Sequence, residues 1–592
     1  MSKEKTKDYR WDLSVLYEGI EDPAFEADRQ KLKETAEKSK ALVQKLNEDF
    51  SEELLPSVIA FTEEAQTLAS RLGLFLSLSR SADTKNPAYT ALLNQISLEM
   101  TPLGVLNVAA GERIAALPDP DAFIEDYHLE EYRYLLHKIK EQAGYRLSQE
   151  LEALASKLSL SGGSAWADMA SYLTSTLEAE LDGKCLGLSA VRNLASDPDP
   201  ELRKKAYEAE LKAYPKIEDA MAYALHSIKS QVSLMARERG YASPLDEALK
   251  ASRLEKESLD SMLEVMEESL PLFRRYFKAK AQILGHEEQL PFYDLFAPVG
   301  QAKSDYSIEE AQDFLLDVFS DLSEDIAGVM KRAFDEDWID YLPRQGKVGG
   351  AFCANMPALG QSRVLTNFDG SFSAVDTLAH ELGHAYHGYC IEDHRILNRS
   401  YSMPVAETAS TFNETHLTLR AAEKSKSPEE ELAVLEQFIS SAAQTIVDIL
   451  SRYLFEKEVF ARCETEFLDS RAMQDIMLRA QKATYGDAMP DDLRHPYMWI
   501  CKSHYYSTGL SYYNFPYAFG QLFSLALYGM YQEEGPAFMK KYKKLLHATT
   551  VSDCEELAAM AGADIRSKAF WRQGISTIED LIERYCELAS GM

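Results

Sequence analysis

Between Pro23 and about Glu180, apolar residues recur three and four positions apart almost without interruption, as in DPAFEADRQKLKETAEKSKALVQKLNEDF and EEYRYLLHKIKEQAGYRLSQELEALASKLSL. At 3.6 residues per turn that spacing gives each segment one apolar stripe, so this part of the chain is expected to be helical. The clearest break is LPDPDAF, where Pro118 and Pro120 alternate with aspartates. The character changes near 185–200. Leu181-Asp182-Gly183-Lys184 reads as a short hairpin or turn, and SDPDPELRKKAYEAEL restarts a helix with Ser196 or Asp197 as cap. Helical patterning continues to DEDWI, near residue 339. The clear strand region is LPRQGKVGGAFCANMPALGQSRVLTNFDGSFSAV, with extended runs AFCAN and SRVLTNF. After residue 400 come a long helix, PEEELAVLEQFISSAAQTIVDILSRYLFEKEVFARCETEF, and a helical tail. The expected fold is mainly α with one small β-sheet. Its expected domains are an N-terminal helical domain over 1–190 and a domain over 191–592 that carries the chemistry.

Length changes this picture by asking for more than one lobe, since 592 residues is long for a single core. The net charge of −32 argues against nucleic acid or an anionic membrane as partner, because phosphate binding rests on Lys and Arg. A solvated acidic surface that favours solubility is the simpler meaning. No apolar run approaches the ~18 residues of a membrane span, and MSKEKTKDYRWD has no signal-peptide core. Seven scattered cysteines without C-x-x-C fit free thiols, so a cytoplasmic location is expected. Cys353 and Cys390 are read as small buried residues. His128 and His137, among charged helical residues, are read as surface groups.

The candidate chemistry lies in DTLAHELGHAYHGYC, where His380, Glu381 and His384 form H-E-x-x-H. On a helix two residues four apart are separated by ~40° and ~6 Å, so both imidazoles can reach one tetrahedral ion with Glu381 beside them as general base. Apolar residues at Val375, Leu378, Ala379, Leu382 and Ala385 suit a buried helix, with Ser373 as N-cap after the turn FDGS. A catalytic zinc needs a third protein ligand, and Glu407 stands 27 residues after His380 in the helix-like VAETASTF. Zinc lowers the pKa of a bound water towards ~7, and Glu381 can then take the proton and return it to a leaving amine. Asp376 and Glu414 could orient ligands, the alternative for each being a solvated helix carboxylate. The metzincin spacing is excluded because its third-histidine and glycine positions hold Cys390 and His387. His387 is expected to pack or bind substrate, and His394 and His416 are poor ligand candidates beside Glu407. The strands before the helix could pair with an extended peptide, or could merely buttress the helix. In HYYSTGLSYYNFPY, His504 and the tyrosines could donate to an oxyanion, the alternative being an aromatic core cluster.

HELGHAYH followed by VAETAS, preceded by GKVGGAFCAN and VLTNF and by the opening YRWDLSVLYEG, resembles the oligoendopeptidase F branch of the thimet oligopeptidase family of zinc metallopeptidases. The resemblance covers most of the chain. It implies a two-lobed helical body with a deep central channel and cleavage of short peptides. It implies one zinc ion per chain on His380, His384 and Glu407, with Glu381 as base. The family's donor loop carries a histidine followed by spaced tyrosines. His504 matches the histidine, and Tyr513 and Tyr517 best match the tyrosines, with Tyr512 able to replace Tyr513. The expected function is therefore a zinc oligoendopeptidase acting on oligopeptides. The alternatives are a metallocarboxypeptidase of related fold and a non-catalytic, metal-containing peptide-binding protein.

Overall fold

The computed structural model describes residues 8–300 and 305–591, and the opening MSKEKTK of the N-terminal reading lies outside them. Among the described residues the protein is mainly α, 72% helical with only small sheets. It divides into two compact units, each assembled from separate stretches of chain. One comprises 1–145, 304–401 and 539–552, and the other 146–303, 402–538 and 553–592. The residues near 185–200, where the sequence changes character, lie within the stretch 146–303.

The first unit begins with the long helices Pro23–Glu48 and Leu54–Ala82. Asp22 caps the first, accepting from the Ala24 amide, and Pro23 opens it. Leu46, Leu55, Val58, Leu103, Leu106 and Ile124 close one core, with Leu46, Leu55, Leu106 and Ile124 fully buried. A second core gathers Trp11, Tyr17, Phe25, Phe75, Met356 and Leu365. Its last two members are strand residues, so this core packs the N-terminal helices onto the sheet beside the H-E-x-x-H helix.

Among the described residues the strands are β1 (Glu178–Leu181), β2 (Lys184–Gly187), β3 (Ile339–Asp340), β4 (Phe352–Met356) and β5 (Gln361–Leu365). The pair β1–β2, in the second unit, is the hairpin expected at residues 181–184, turned by Asp182 at φ 49° and Gly183 at φ 77°. The three-stranded sheet has the order β3-β5-β4. β4 and β5 are antiparallel, with Cys353 opposite Val364, and β3 runs parallel to β5. β3 falls where helix was expected. The preceding helix ends at Asp335, and Asp337 adopts φ 51°, which turns the chain into the sheet.

Two helix starts also differ from the sequence reading. Asp199 caps the helix Pro200–Ala213 in place of Ser196 or Asp197, because the cap must directly precede Pro200 at the first helical position. In the second unit the expected single long helix after residue 427 is continuous but not uniform. Pro428–Ala443 and Ile449–Cys463 are joined by a π-helical segment, Gln444–Asp448. The wider turn re-aims everything after it, including Arg452 and Glu456.

Candidate active site

The motif helix runs from Phe372 to Cys390 in the first unit and is capped by Ser371, whose hydroxyl accepts from the Ala374 amide at 3.1 Å. Ser373, the expected cap, is instead an exposed residue of the first turn. The reason is local: Asp369 accepts from both the amide and the hydroxyl of Ser371, fixing the cap at Ser371 ahead of Ser373. Val375, Leu378, Ala379, Leu382 and Ala385 are all buried, so the apolar face is the one the spacing specified.

His380 and His384 are half-buried on a helix whose neighbouring residues are closed off. Their ring centroids are 4.9 Å apart and the planes meet at 81°. Glu381 is buried at 6% exposure near β4, where desolvation of Cys353 and then the Glu381 charge hold the Cys353 thiol well above its ordinary pKa. Cys353 is therefore a neutral thiol, a poor metal ligand beside two imidazoles. It is half-buried, and Cys390 is buried. His387 is a packing residue: it lies flat on Tyr401 at 4.4 Å and shares a 2.8 Å hydrogen bond with the Thr549 hydroxyl. His416, in the second unit, is buried against the Tyr528 hydroxyl at 3.0 Å. Asp376 is half-buried one turn before His380.

The helix sits close on the sheet at Gly388. A Cβ there would come 2.3 Å from Asn355 Oδ1, and Asn355 is pinned by the Ser362 hydroxyl at 2.8 Å. Gly388→Ala is therefore expected to lift the motif helix from β4 and cost ~1–3 kcal/mol of stability. Denaturant unfolding checks this, and an unchanged midpoint would show that Asn355 yields freely.

Glu407 belongs to the second unit. It is half-buried at the break between Met403–Ala406 and Thr408–Lys424. The Ser410 hydroxyl reaches its carboxylate at 2.8 Å. The helix Phe515–Glu534 approaches this break at Gly520, where a Cβ would meet Pro404 O at 3.0 Å and the Glu407 Cβ at 3.5 Å. Ser524 extends the contact, donating to Thr408 O at 3.0 Å. Tyr517 lies on the first turn of the same helix and feels the Glu407 charge. Burial, its bond to Tyr513 and that charge all raise its pKa, so it is a protonated donor. Its hydroxyl is 2.6 Å from that of Tyr513.

His504 lies in a short 3-10 turn, Ser503–Tyr506, with its ring 5.4 Å from Tyr513. Its Nε2 is 2.7 Å from Asn514 Nδ2, while Asn514 Oδ1 accepts from Arg452 at 3.3 Å. The amide orientation makes His504 Nε2 the acceptor and leaves Nδ1–H as a donor. Burial, then the charges of Arg452, Lys229 and Lys502, push the imidazole down to about 3, so it is neutral at ordinary pH. Tyr512 faces the other way, buried between Phe460 at 5.4 Å and Tyr453 at 5.3 Å. Of the two tyrosines open from sequence, Tyr513 is the one grouped with Tyr517 and His504.

The support beneath this loop was not anticipated from sequence. Lys229 and Glu456, 1% and 2% exposed, form an ion pair of 2.7 Å. The second oxygen of Glu456 accepts the Tyr512 amide at 3.1 Å, holding a residue at φ 52°. Alongside, Asp448 pairs with Arg452, whose carbonyl accepts the Tyr505 hydroxyl at 3.2 Å. The available signal was charge out of place: Lys229 in ALHSIKSQVSL and Glu456 in YLFEKEVF lie on the apolar side of their helices.

Residues 193–577 match the model of peptidase family M3. The chain belongs to peptidase family M3. Residues 119–178 also match the Oligopeptidase F model. As an M3 member the protein is a peptidase. It is 24% identical over 548 residues to oligopeptidase PepF of Bacillus subtilis, covering 90% of this chain and 81% of that one. It is 25% identical over 605 residues to group B oligopeptidase PepB of Streptococcus agalactiae, covering 99% and 98%. The fold is shared with a Chlamydophila abortus structure at TM-score 0.86 and 21% identity, covering 99% of each chain. It is also shared with oligoendopeptidase-F of Enterococcus faecium at TM-score 0.69 and 21% identity, covering 96% of this chain and 99% of that one.

Proposed function

We propose that this M3 peptidase is a zinc-dependent oligoendopeptidase that cuts internal bonds of short peptides in the cytoplasm. The observation that carries the metal reading is the half-buried pair His380 and His384, two imidazoles at i and i+4 on a rigid helix with Glu381 between them. That donor chemistry fits zinc, with Glu407 as the third ligand. A zinc ion held by these three residues would acidify a bound water and polarise the scissile carbonyl.

The residues of the chain do the remaining work. Glu381 takes the proton from the attacking water and delivers it to the leaving amine. Tyr513, Tyr517 and neutral His504 supply O–H and N–H donors for charge developing on the carbonyl oxygen. The free edge of β4, opposite its pairing with β5, offers backbone groups to an extended peptide whatever its side chains. The acidic composition supports peptides as partners over nucleic acid or anionic membrane, and among the described residues no helix is long and apolar enough to cross a membrane.

The decisive experiment is to measure bound metal and map cuts in a peptide library of graded length, before and after chelation. Internal cuts in short peptides, lost on chelation and restored by zinc, are expected. Equal cleavage without metal would refute the metalloenzyme reading, and release of single C-terminal residues would move the protein to the carboxypeptidases. Within the same assay, Tyr517→Phe is expected to lower kcat ~10²–10³-fold with little change in KM. Tyr512→Phe is expected to leave kcat nearly unchanged, since its ring packs between Tyr453 and Phe460. Equal loss from both would reverse the choice of donor.

A further inference from the structure

Away from the motif, the first unit gathers three more side chains of metal-binding type. Asp393 and His394 lie in the turn after the motif helix, and His547 lies at the end of the helix Phe538–Ala548. One donor atom from each lies within 4.8 Å of the others. His547 Nε2 is 3.1 Å from Asp393 Oδ1. A carboxylate oxygen accepts, so His547 Nε2 carries a proton that an ion would displace; two donors bonded at ~2.0–2.1 Å to one tetrahedral ion stand ~3.3 Å apart, so the pair has the separation of a coordination edge once that proton is lost. The imidazoles of His394 and His547 lie 4.1 Å apart at 33°. His394 Nε2 is 2.8 Å from the carbonyl oxygen of His547, so that nitrogen carries the proton and the lone pair is on Nδ1. A ring with one nitrogen fixed on a carbonyl and the other unprotonated is the usual state of a histidine ligand.

The turn is braced before any ion arrives. Arg399 donates to the carbonyls of His394 at 2.8 Å and Glu392 at 3.1 Å. The neighbouring cations have other partners: Arg395 pairs with Glu131 at 3.3 Å, and Lys543 with Asp325 at 2.6 Å. The Asp393 carboxylate bonds to His547, and the other charge it acts on is that of Arg399, whose own hydrogen bonds go to the turn carbonyls. Its side chain is 73% exposed and that of His547 43%, so water can fill the remaining coordination positions. Asp393 and His394 also line a cleft of about 1070 Å³ that gives an ion access.

We propose that Asp393, His394 and His547 form a second divalent-metal site, tying the turn after the motif helix to the helix Phe538–Ala548. Two imidazoles and one carboxylate select zinc, nickel or copper over magnesium or calcium, whose sites are built from oxygen. Exposure and only three protein ligands make it a weaker site than a closed structural one.

The test uses the full chain already loaded with its tightly held metal, dialysed against a zinc series with bound zinc counted by atomic emission. A second equivalent per chain is expected, weakened at least about tenfold in His547→Ala and in Asp393→Asn, with the first equivalent retained. His384→Ala is expected to remove the tight equivalent and leave the weak one, so failure of either assignment is separable from the other. The proposal is overturned if only one equivalent binds, or if the second keeps its affinity in both His547→Ala and Asp393→Asn.

Discussion

Glu381→Gln is expected to lower kcat on oligopeptides by ~10²–10⁴-fold while leaving bound metal and fold intact. The substitution keeps the shape of a side chain that is only 6% exposed, so packing against β4 is preserved. What it removes is the ability to accept a proton from water and pass it to the amine. Steady-state kinetics with a quenched internal-cleavage peptide, with metal counted on the same sample, checks both halves. Turnover equal to the parent would take Glu381 out of the reaction. Loss of metal together with activity would make it a structural support of the histidines and not the base.

The second large effect is expected far from the motif in sequence. Glu456→Ala leaves the Lys229 ammonium, 1% exposed, without its carboxylate and deprives the Tyr512 amide of its acceptor. Removing one member of a buried pair typically costs ~3–5 kcal/mol, because the remaining charge stays desolvated. Denaturant unfolding should show that loss. Activity of the folded fraction should fall as well, since the loop bearing Tyr513 and His504 is anchored there. Replacing both partners by apolar residues, Lys229→Met with Glu456→Leu, should restore most of the stability, because no buried charge is then left unpaired. A single variant as stable as the parent would show that water reaches Lys229.

Much of this molecule is legible from local pattern. Helix character from Pro23 onward, the turn at Asp182-Gly183, and the strand runs at 352–356 and 361–365 follow from periodicity and turn residues that act over a few positions. The misplaced details have equally local causes. Asp369 moved the motif helix cap from Ser373 to Ser371, and Asp337 at φ 51° allowed Ile339–Asp340 to leave a helical pattern for a parallel ladder. The π segment at Gln444–Asp448 is not readable from the hydrophobic pattern, because apolar residues continue through it on both sides and a single shift of face within so apolar a stretch leaves no break.

By itself the sequence determined the helical class, the histidine pair with its glutamate, and membership of a peptidase lineage. Each rests on residues a few positions apart or on likeness along the chain. Only tertiary structure decided which groups stand around them. It set Tyr512 into the apolar core and Tyr513 against Tyr517, placed Gly520 beside Glu407, and made Lys229 and Glu456 the footing of a loop in another part of the chain. It also brought His547 to Asp393 and His394 across more than 150 positions. The physical reason is that a buried charge or hydroxyl is satisfied by whatever neighbour the fold delivers, and no local period encodes that neighbour's place in the chain.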